Sequence, residues 1–191
     1  MDRAGADFYN VVDQLINKLG ANPVPVQIPI GAESDFSGVI DLILNKAIYW
    51  NNDDLGKTLT YDEIPESLKE EASEWRGKLV ENLSEIDDTI LEKFLSDSST
   101  ITHDEIYSVL RKGTIDMSIT PVFCGSAFKN KGIQPLLDGV IKYLPSPVEL
   151  PPVEGTKINS DYIETRKPDV NEPFSALVFK IVSDPFVGKL A

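Results

Sequence analysis

The chain has 191 residues, 41% hydrophobic and 26% charged, with 31 acidic against 18 basic residues and a formal net charge of −13. That length and apolar content suit one or two folded domains and exclude a disordered chain, while the acidic balance excludes non-specific binding to nucleic acid and favours a basic protein partner. Cys124, the single cysteine, excludes an internal disulfide framework and a multi-cysteine metal site and fits a reducing, cytoplasmic compartment; no signal core opens the chain and no run of about 18 apolar residues predicts a membrane span.

Residues 7–19 read as a helix, with Phe8, Val11, Val12, Leu15 and Leu19 at helical spacing and Gly20 at the C-terminal glycine position. The proline-rich stretch 21–31 alternates Val24, Val26, Ile28 and Ile30 and predicts an edge strand. Residues 37–43 and 46–50 predict a hairpin around Leu44 and Asn45, and 51–56 a polar turn. Residues 66–95 predict one long helix, because Leu68, Ala72, Trp75, Leu79, Leu83, Ile86, Ile90 and Phe94 alternate spacings of three and four. Thr102 and Glu105 match a capping box for a second helix that stops at Gly113. A buried strand is expected at 119–123, then a loop at 124–132. A helix follows at 133–144 with Leu136, Leu137, Val140, Ile141 and Leu144 on its apolar side, ended by Pro145 and Pro147. Residues 148–173 lack periodicity and read as a linker, and 174–182 alternate like a strand before a turn at 183–185.

By spacing alone the 124–132 segment is a glycine-containing loop between a strand and a helix, the place where open α/β folds bind ligands. Cys124-Gly125-Ser126-Ala127-Phe128-Lys129-Asn130-Lys131-Gly132, followed by a helix and Tyr143-Leu144-Pro145-Ser146-Pro147, resembles the last nucleotide-binding loop of the elongation factor G family of ribosomal GTPases. Met1-Asp2-Arg3-Ala4-Gly5-Ala6-Asp7-Phe8 resembles the segment at and after that family's guanine-specificity motif, Asn-Lys-x-Asp, with Asp2 as its aspartate. Residues 173–180 and 184–188 resemble the opening strands of its second domain.

The resemblance covers essentially the whole chain. It implies an α/β fold: the C-terminal part of a P-loop-type GTPase domain with an inserted α/β subdomain, plus the first strands of a β-barrel. The implied boundaries are 1–21 for part of the GTPase domain, 22–116 for the insert, 117–147 for the closing strand and helix, 148–173 for a linker and 174–191 for a truncated barrel start. It implies that Asp2 accepts from guanine N1–H and the N2 amine, a donor pair adenine lacks, and that the Ser126–Ala127 region offers a backbone N–H to O6, with Lys129 near the ring. GTP or GDP is the implied ligand of the intact factor, with none expected on this chain alone.

The phosphate half of such a site has no match. Gly56-Lys57-Thr58 is a decoy, since the first glycine of Gly-x-x-x-x-Gly-Lys-Ser/Thr would fall on Asn51 and Asp53 and Asp54 would repel phosphate. The Asp-x-x-Gly patterns at 35–38 and 53–56 fall in the wrong order. The chain alone is therefore expected not to hydrolyse GTP.

Glu66, Glu70, Glu74, Glu81, Glu85, Asp88 and Glu92 project from one side of the expected long helix, opposite its apolar face. A run of charge is ordinarily a solvated face, yet like charges at i, i+4 destabilise a helix, so a one-sign stripe favours a basic partner. In the family the insert contacts the C-terminal domain of the ribosomal stalk protein, which makes Glu70, Glu74, Glu81 and Glu85 candidate docking residues. A related ribosome-protection or ribosome-recycling GTPase, and a free-standing acidic binding module, remain as alternatives. His103 reads as a surface residue beside a cap, Cys124 as a buried structural thiol, and Trp75 as core.

Overall fold

The computed structural model describes residues 1–51, 54–157 and 159–190. Asn52 and Asp53 of the expected turn, Ile158 of the expected linker and Ala191 lie outside the described residues. Two compact units are present, Met1–Leu144 and Pro145–Ala191.

The first unit opens with α1, Phe8–Leu19. The Asp7 carboxylate caps it by accepting from Asn10 N–H, and Gly20 ends it in the left-handed region at φ 62°. The next stretch is not one strand. β1 (Pro23–Pro25) pairs in parallel with β6 (Thr120–Val122), and after Val26 the chain changes partners: β2 (Gln27–Ile30) pairs antiparallel with β3 (Gly38–Asp41). Val26 makes the hand-over, donating its N–H to Val122 O and accepting from Leu42 N–H, both at 3.0 Å. The proline spacing suits this, since each short ladder loses only the donors its prolines lack.

β4 (Lys46–Trp50) and β5 (Leu59–Asp62) complete a four-stranded antiparallel sheet in the order β2-β3-β4-β5. The expected hairpin forms, with Asp41 opposite Lys46, Gly38 opposite Tyr49 and Asn45 left-handed in the turn. Val39, Ile40, Ala47 and Ile48 are all buried, so this hairpin is covered on both faces.

The expected long helix is two. α2 (Lys69–Ser84) and α3 (Asp88–Ser96) are separated at Asp87, which is extended (φ −142°) and caps α3 by accepting from Thr89 and Ile90 N–H. An aspartate inside an apolar period competes for the backbone and starts a new helix. The Arg76 guanidinium on α2 donates to the carbonyls of Leu42 and Ile43, fixing that helix to the β3–β4 turn.

α4 (His103–Ile115) has the expected capping box, but it runs past Gly113. A Cβ there would come within 2.8 Å of Ile119 and Ile86 side chains, so this glycine permits close packing rather than a stop. α5 (Ile133–Tyr143) ends the unit. Its expected apolar side is exposed, Ile141 at 77%; Gly139 and Tyr143 are the buried positions.

In the second unit the expected linker contains an antiparallel pair, β7 (Val153–Thr156) with β8 (Ile163–Arg166). Residues 174–181 form no strand; instead β9 (Val182–Asp184) pairs with β10 (Gly188–Leu190). The Asp184 carboxylate accepts from Phe186 and Val187 N–H and closes the turn.

Candidate functional site

Two loops meet at one end of the first unit: residues 1–6, before α1, and 124–132, between β6 and α5. The Met1 amino nitrogen donates to Gly125 O at 2.6 Å. The Ser126 side chain is the chief influence that holds the Asp2 carboxylate below the usual carboxylate range, with Lys129 a smaller one. Asp2 therefore stays ionised and acceptor-only at neutral pH.

The second loop is closed on itself. Ser126 N–H donates to Lys131 O at 2.8 Å, Lys131 N–H returns to Ser126 O at 3.0 Å, and Asn130 N–H reaches Ala127 O at 3.2 Å. Ser126 Oγ accepts from Lys129 N–H at 3.2 Å. Ser126's own amide is thus consumed, whereas the Ala127 amide donates to nothing among the described residues. Within the expected Ser126–Ala127 pair the amides differ: Ser126 N–H is used by its own loop, and the N–H without a partner among the described residues is Ala127's. Phe128 is exposed and lies under the Arg3 guanidinium at 5.9 Å.

The loop is also held from outside. Asn130 Nδ2 donates to Leu55 O at 3.0 Å, Gln134 Nε2 to Gly56 O at 2.9 Å, and Trp50 Nε1 to Gln134 Oε1 at 2.9 Å. The Gly56-Lys57-Thr58 amides are no phosphate cradle. Lys57 and Thr58 N–H donate to the Asp54 carboxylate, which the Thr58 side chain first and these backbone bonds second keep below its usual range. Burial pushes the Cys124 thiol up to about 12, so it is inert at neutral pH. Among the described residues no cluster of His, Cys, Asp or Glu is placed to hold a metal, and no helix is long and apolar enough to cross a membrane.

Glu70, Glu74 and Glu81 lie exposed on α2 and Glu85 follows its last turn, but Asp88 and Glu92 belong to α3, so the expected single stripe is interrupted. Glu74 pairs with Lys78 at 2.7 Å, and Lys78 also stands 4.3 Å over the Trp75 ring. Half-buried Trp75 stacks on Tyr9, whose hydroxyl bonds Glu71. Sequence reasoning missed Glu33, which bonds the Asp2 loop twice: Glu33 N–H to Met1 O at 2.9 Å and Gly5 N–H to Glu33 Oε1 at 2.6 Å. Nothing periodic marks it.

Residues 1–146 match the family model described as the elongation factor Tu GTP binding domain. The chain belongs to this GTP-binding domain family. Relatives bear out the resemblance across all 191 residues: elongation factor G of Amoebophilus asiaticus (strain 5a2) is 59% identical, and those of Thermotoga neapolitana and Thermotoga maritima are 56% and 55% identical over 190 residues. Each alignment covers 100% of this chain but 27% of the relative, so the chain spans about a quarter of their length. A crystal structure from Thermus thermophilus superposes with a TM-score of 0.67 at 25% identity, over 97% of this chain and 24% of that one. The mixed α/β architecture agrees with membership of this GTP-binding domain family.

Proposed function

We propose that the chain supplies the base-recognition half of the nucleotide pocket of a ribosomal translocation factor, together with a subdomain that docks on the ribosomal stalk. The observation that carries the first part is the meeting of the loop that holds Asp2 with the 124–132 loop, where the Met1 nitrogen bonds Gly125 O, Asp2 is kept ionised and the Ala127 amide has no partner among the described residues. A guanine ring set between them gives N1–H and the N2 amine to the two Asp2 oxygens and accepts the Ala127 N–H at O6. Lys129 flanks the ring. Adenine offers the wrong donor pattern at both ends and is rejected because a buried acceptor would be left unpaired. This half-site binds and orients; it holds no phosphate. GTP hydrolysis belongs to the longer factor, and the chain alone is expected to be inactive.

The parallel pairing of β1 with β6 supports the insert reading, since it brackets residues 26–119 as an excursion between neighbouring strands. On this reading 1–21 and 117–147 belong to the GTPase domain, 148–173 joins it to the next domain, and 174–191 opens a β-barrel. The exposed Glu70, Glu74, Glu81 and Glu85 form the docking face for a basic surface, and the setting is the cytoplasm, on the ribosome.

Asp2→Asn in the longer protein that contains this chain tests the pocket. One oxygen becomes a donor facing a donor, so GDP affinity is expected to fall at least about tenfold, the scale of a lost charge-assisted bond. Unchanged GDP affinity overturns the assignment. Calorimetric titration of this chain with the stalk C-terminal domain tests docking, which is expected to weaken between low and moderate salt and on reversal of Glu74 and Glu81 to Lys.

A further inference from the structure

We infer that Glu33 is a positioning residue for base recognition: it clamps the loop that carries Asp2 and thereby fixes where the Asp2 carboxylate stands relative to the Ala127 amide. The inference rests on the guanine-pocket reading above. Glu33 opens a short 3-10 turn (Glu33–Asp35) just beyond β2, on the four-stranded sheet rather than on either pocket loop. It holds the 1–6 loop at both ends of the segment containing Asp2. Its backbone N–H donates to Met1 O at 2.9 Å, one residue before Asp2, and its carboxylate accepts from Gly5 N–H at 2.6 Å, three residues after. The segment's own turn, Ala6 N–H to Arg3 O at 3.0 Å, keeps it compact between these two points.

The backbone supports the assignment. Glu33 is left-handed at φ 55°, a conformation that costs a side-chain-bearing residue free energy and that glycine would adopt freely. Such strain persists where the surroundings over-determine it. What requires a side chain here is the Gly5 amide, which the Glu33 carboxylate meets. Gly31 allows the approach: at φ 76° it lets the turn fold back so tightly that a Cβ would lie 2.2 Å from Asp35 O.

The geometric consequence is specific. A carboxylate that accepts two parallel bonds from guanine must keep both oxygens in the ring plane, and a displacement of order 1 Å costs far more than the loss of one distant bond suggests. Glu33 fixes the backbone on both sides of Asp2, and that backbone sets where the carboxylate can reach. Without the Glu33 carboxylate the Gly5 end of the segment is released, the Asp2 backbone shifts and one of the two bonds to the base lengthens. Glu33 touches no part of the nucleotide, so it acts only through Asp2.

The test compares wild type, Glu33→Ala and Glu33→Gln in the longer protein that contains this chain, titrated with GDP and with IDP. Hypoxanthine lacks the N2 amine, so the ratio of the two dissociation constants reads the Asp2 geometry and not the fold. Glu33→Ala is expected to weaken GDP about tenfold and IDP much less, narrowing the ratio. Glu33→Gln keeps an acceptor oxygen for Gly5 and is expected to restore the wild-type ratio. An unchanged ratio in the alanine variant, or equal losses for both nucleotides, overturns the positioning role. A wild type that does not prefer GDP over IDP sinks the pocket reading itself and this inference with it. As a measurement independent of any variant, the Gly5 amide in the 191-residue chain is expected to exchange with solvent more slowly than the Ala4 amide; equal rates overturn the clamp.

Discussion

At the scale of single residues, function and stability meet in small groups whose atoms have one use each. Ser126 uses its N–H to close its loop on Lys131 and its hydroxyl to accept from Lys129 N–H, while the Ala127 amide has no partner among the described residues. Gly31 is equally constrained. Substituting alanine would keep φ at 76° and drive a Cβ into Asp35 O at 2.2 Å. Gly31→Ala is therefore expected to destabilise the first unit by about 2 kcal/mol or more, read as a lower urea midpoint; an unshifted midpoint would mean that the turn refolds without strain. Cys124 offers a probe of the same unit. With its thiol at about 12 and its side chain buried, labelling by a maleimide at about pH 7.5 is expected to be at least tenfold slower in the native chain than in urea. Equal rates would place the thiol at the surface.

At the scale of elements, the ends of helices carry more of the fold than their propensities. Asp87 separates α2 from α3, and Asp87→Ala is expected to cost about 1 kcal/mol, seen as a lower melting temperature, because the Thr89 and Ile90 amides lose their acceptor. Glu105 serves the Thr102 cap of α4 and also pairs with Lys93 of α3. Lys93 first, then Thr102, hold its carboxyl down at about 2, against an ordinary 4.5. A carboxylate held low in the folded chain stabilises it above the unfolded value and loses that effect as pH falls toward 2. Wild type is thus expected to melt above Glu105→Gln at pH 7 and to converge with it near pH 2; a constant gap would place the effect in packing. The capping box was legible because its two residues are local in sequence. So were α1, between Asp7 and Gly20, and the β3–β4 hairpin, through its apolar run. The α2–α3 break was hidden because the apolar period continues across Asp87 at the same spacing. β5 was hidden because, of its four residues, Leu59 alone is even half-buried. The change of partners at Val26 depends on β6, nearly a hundred residues away, and no local pattern records it. Within the candidate site, Asp2, Ser126 and Ala127 were singled out by family resemblance alone, and the Glu33 bonds to Met1 and Gly5 were not legible, since they exist only in the fold.

At the scale of the whole molecule, the two units differ in how they exclude water. Every buried hydrophobic residue among the described residues belongs to the first unit, from Phe8 to Tyr143. The second has short hairpins and an irregular stretch in which Phe174 and Phe179 are 94% and 90% exposed. Proteolysis needs a stretch of backbone to leave its hydrogen bonds and enter a protease cleft, and that opening costs least where few bonds and little apolar burial must be given up. Residues 174–181 make no ladder bonds, whereas Phe8, Trp50 and Tyr143 are packed inside helices and strands. Chymotrypsin at low ratio is expected to cut first after Phe174, Leu177 or Phe179, and mass spectrometry would find a long-lived product that begins at Met1 and keeps all of α5. Early cuts within residues 1–144 would instead show that the sheet opens readily, and the pocket loops it supports would be mobile with it. If the long-lived product keeps the slow Gly5 exchange of the whole chain, the clamp on the Asp2 loop is a property of the first unit alone.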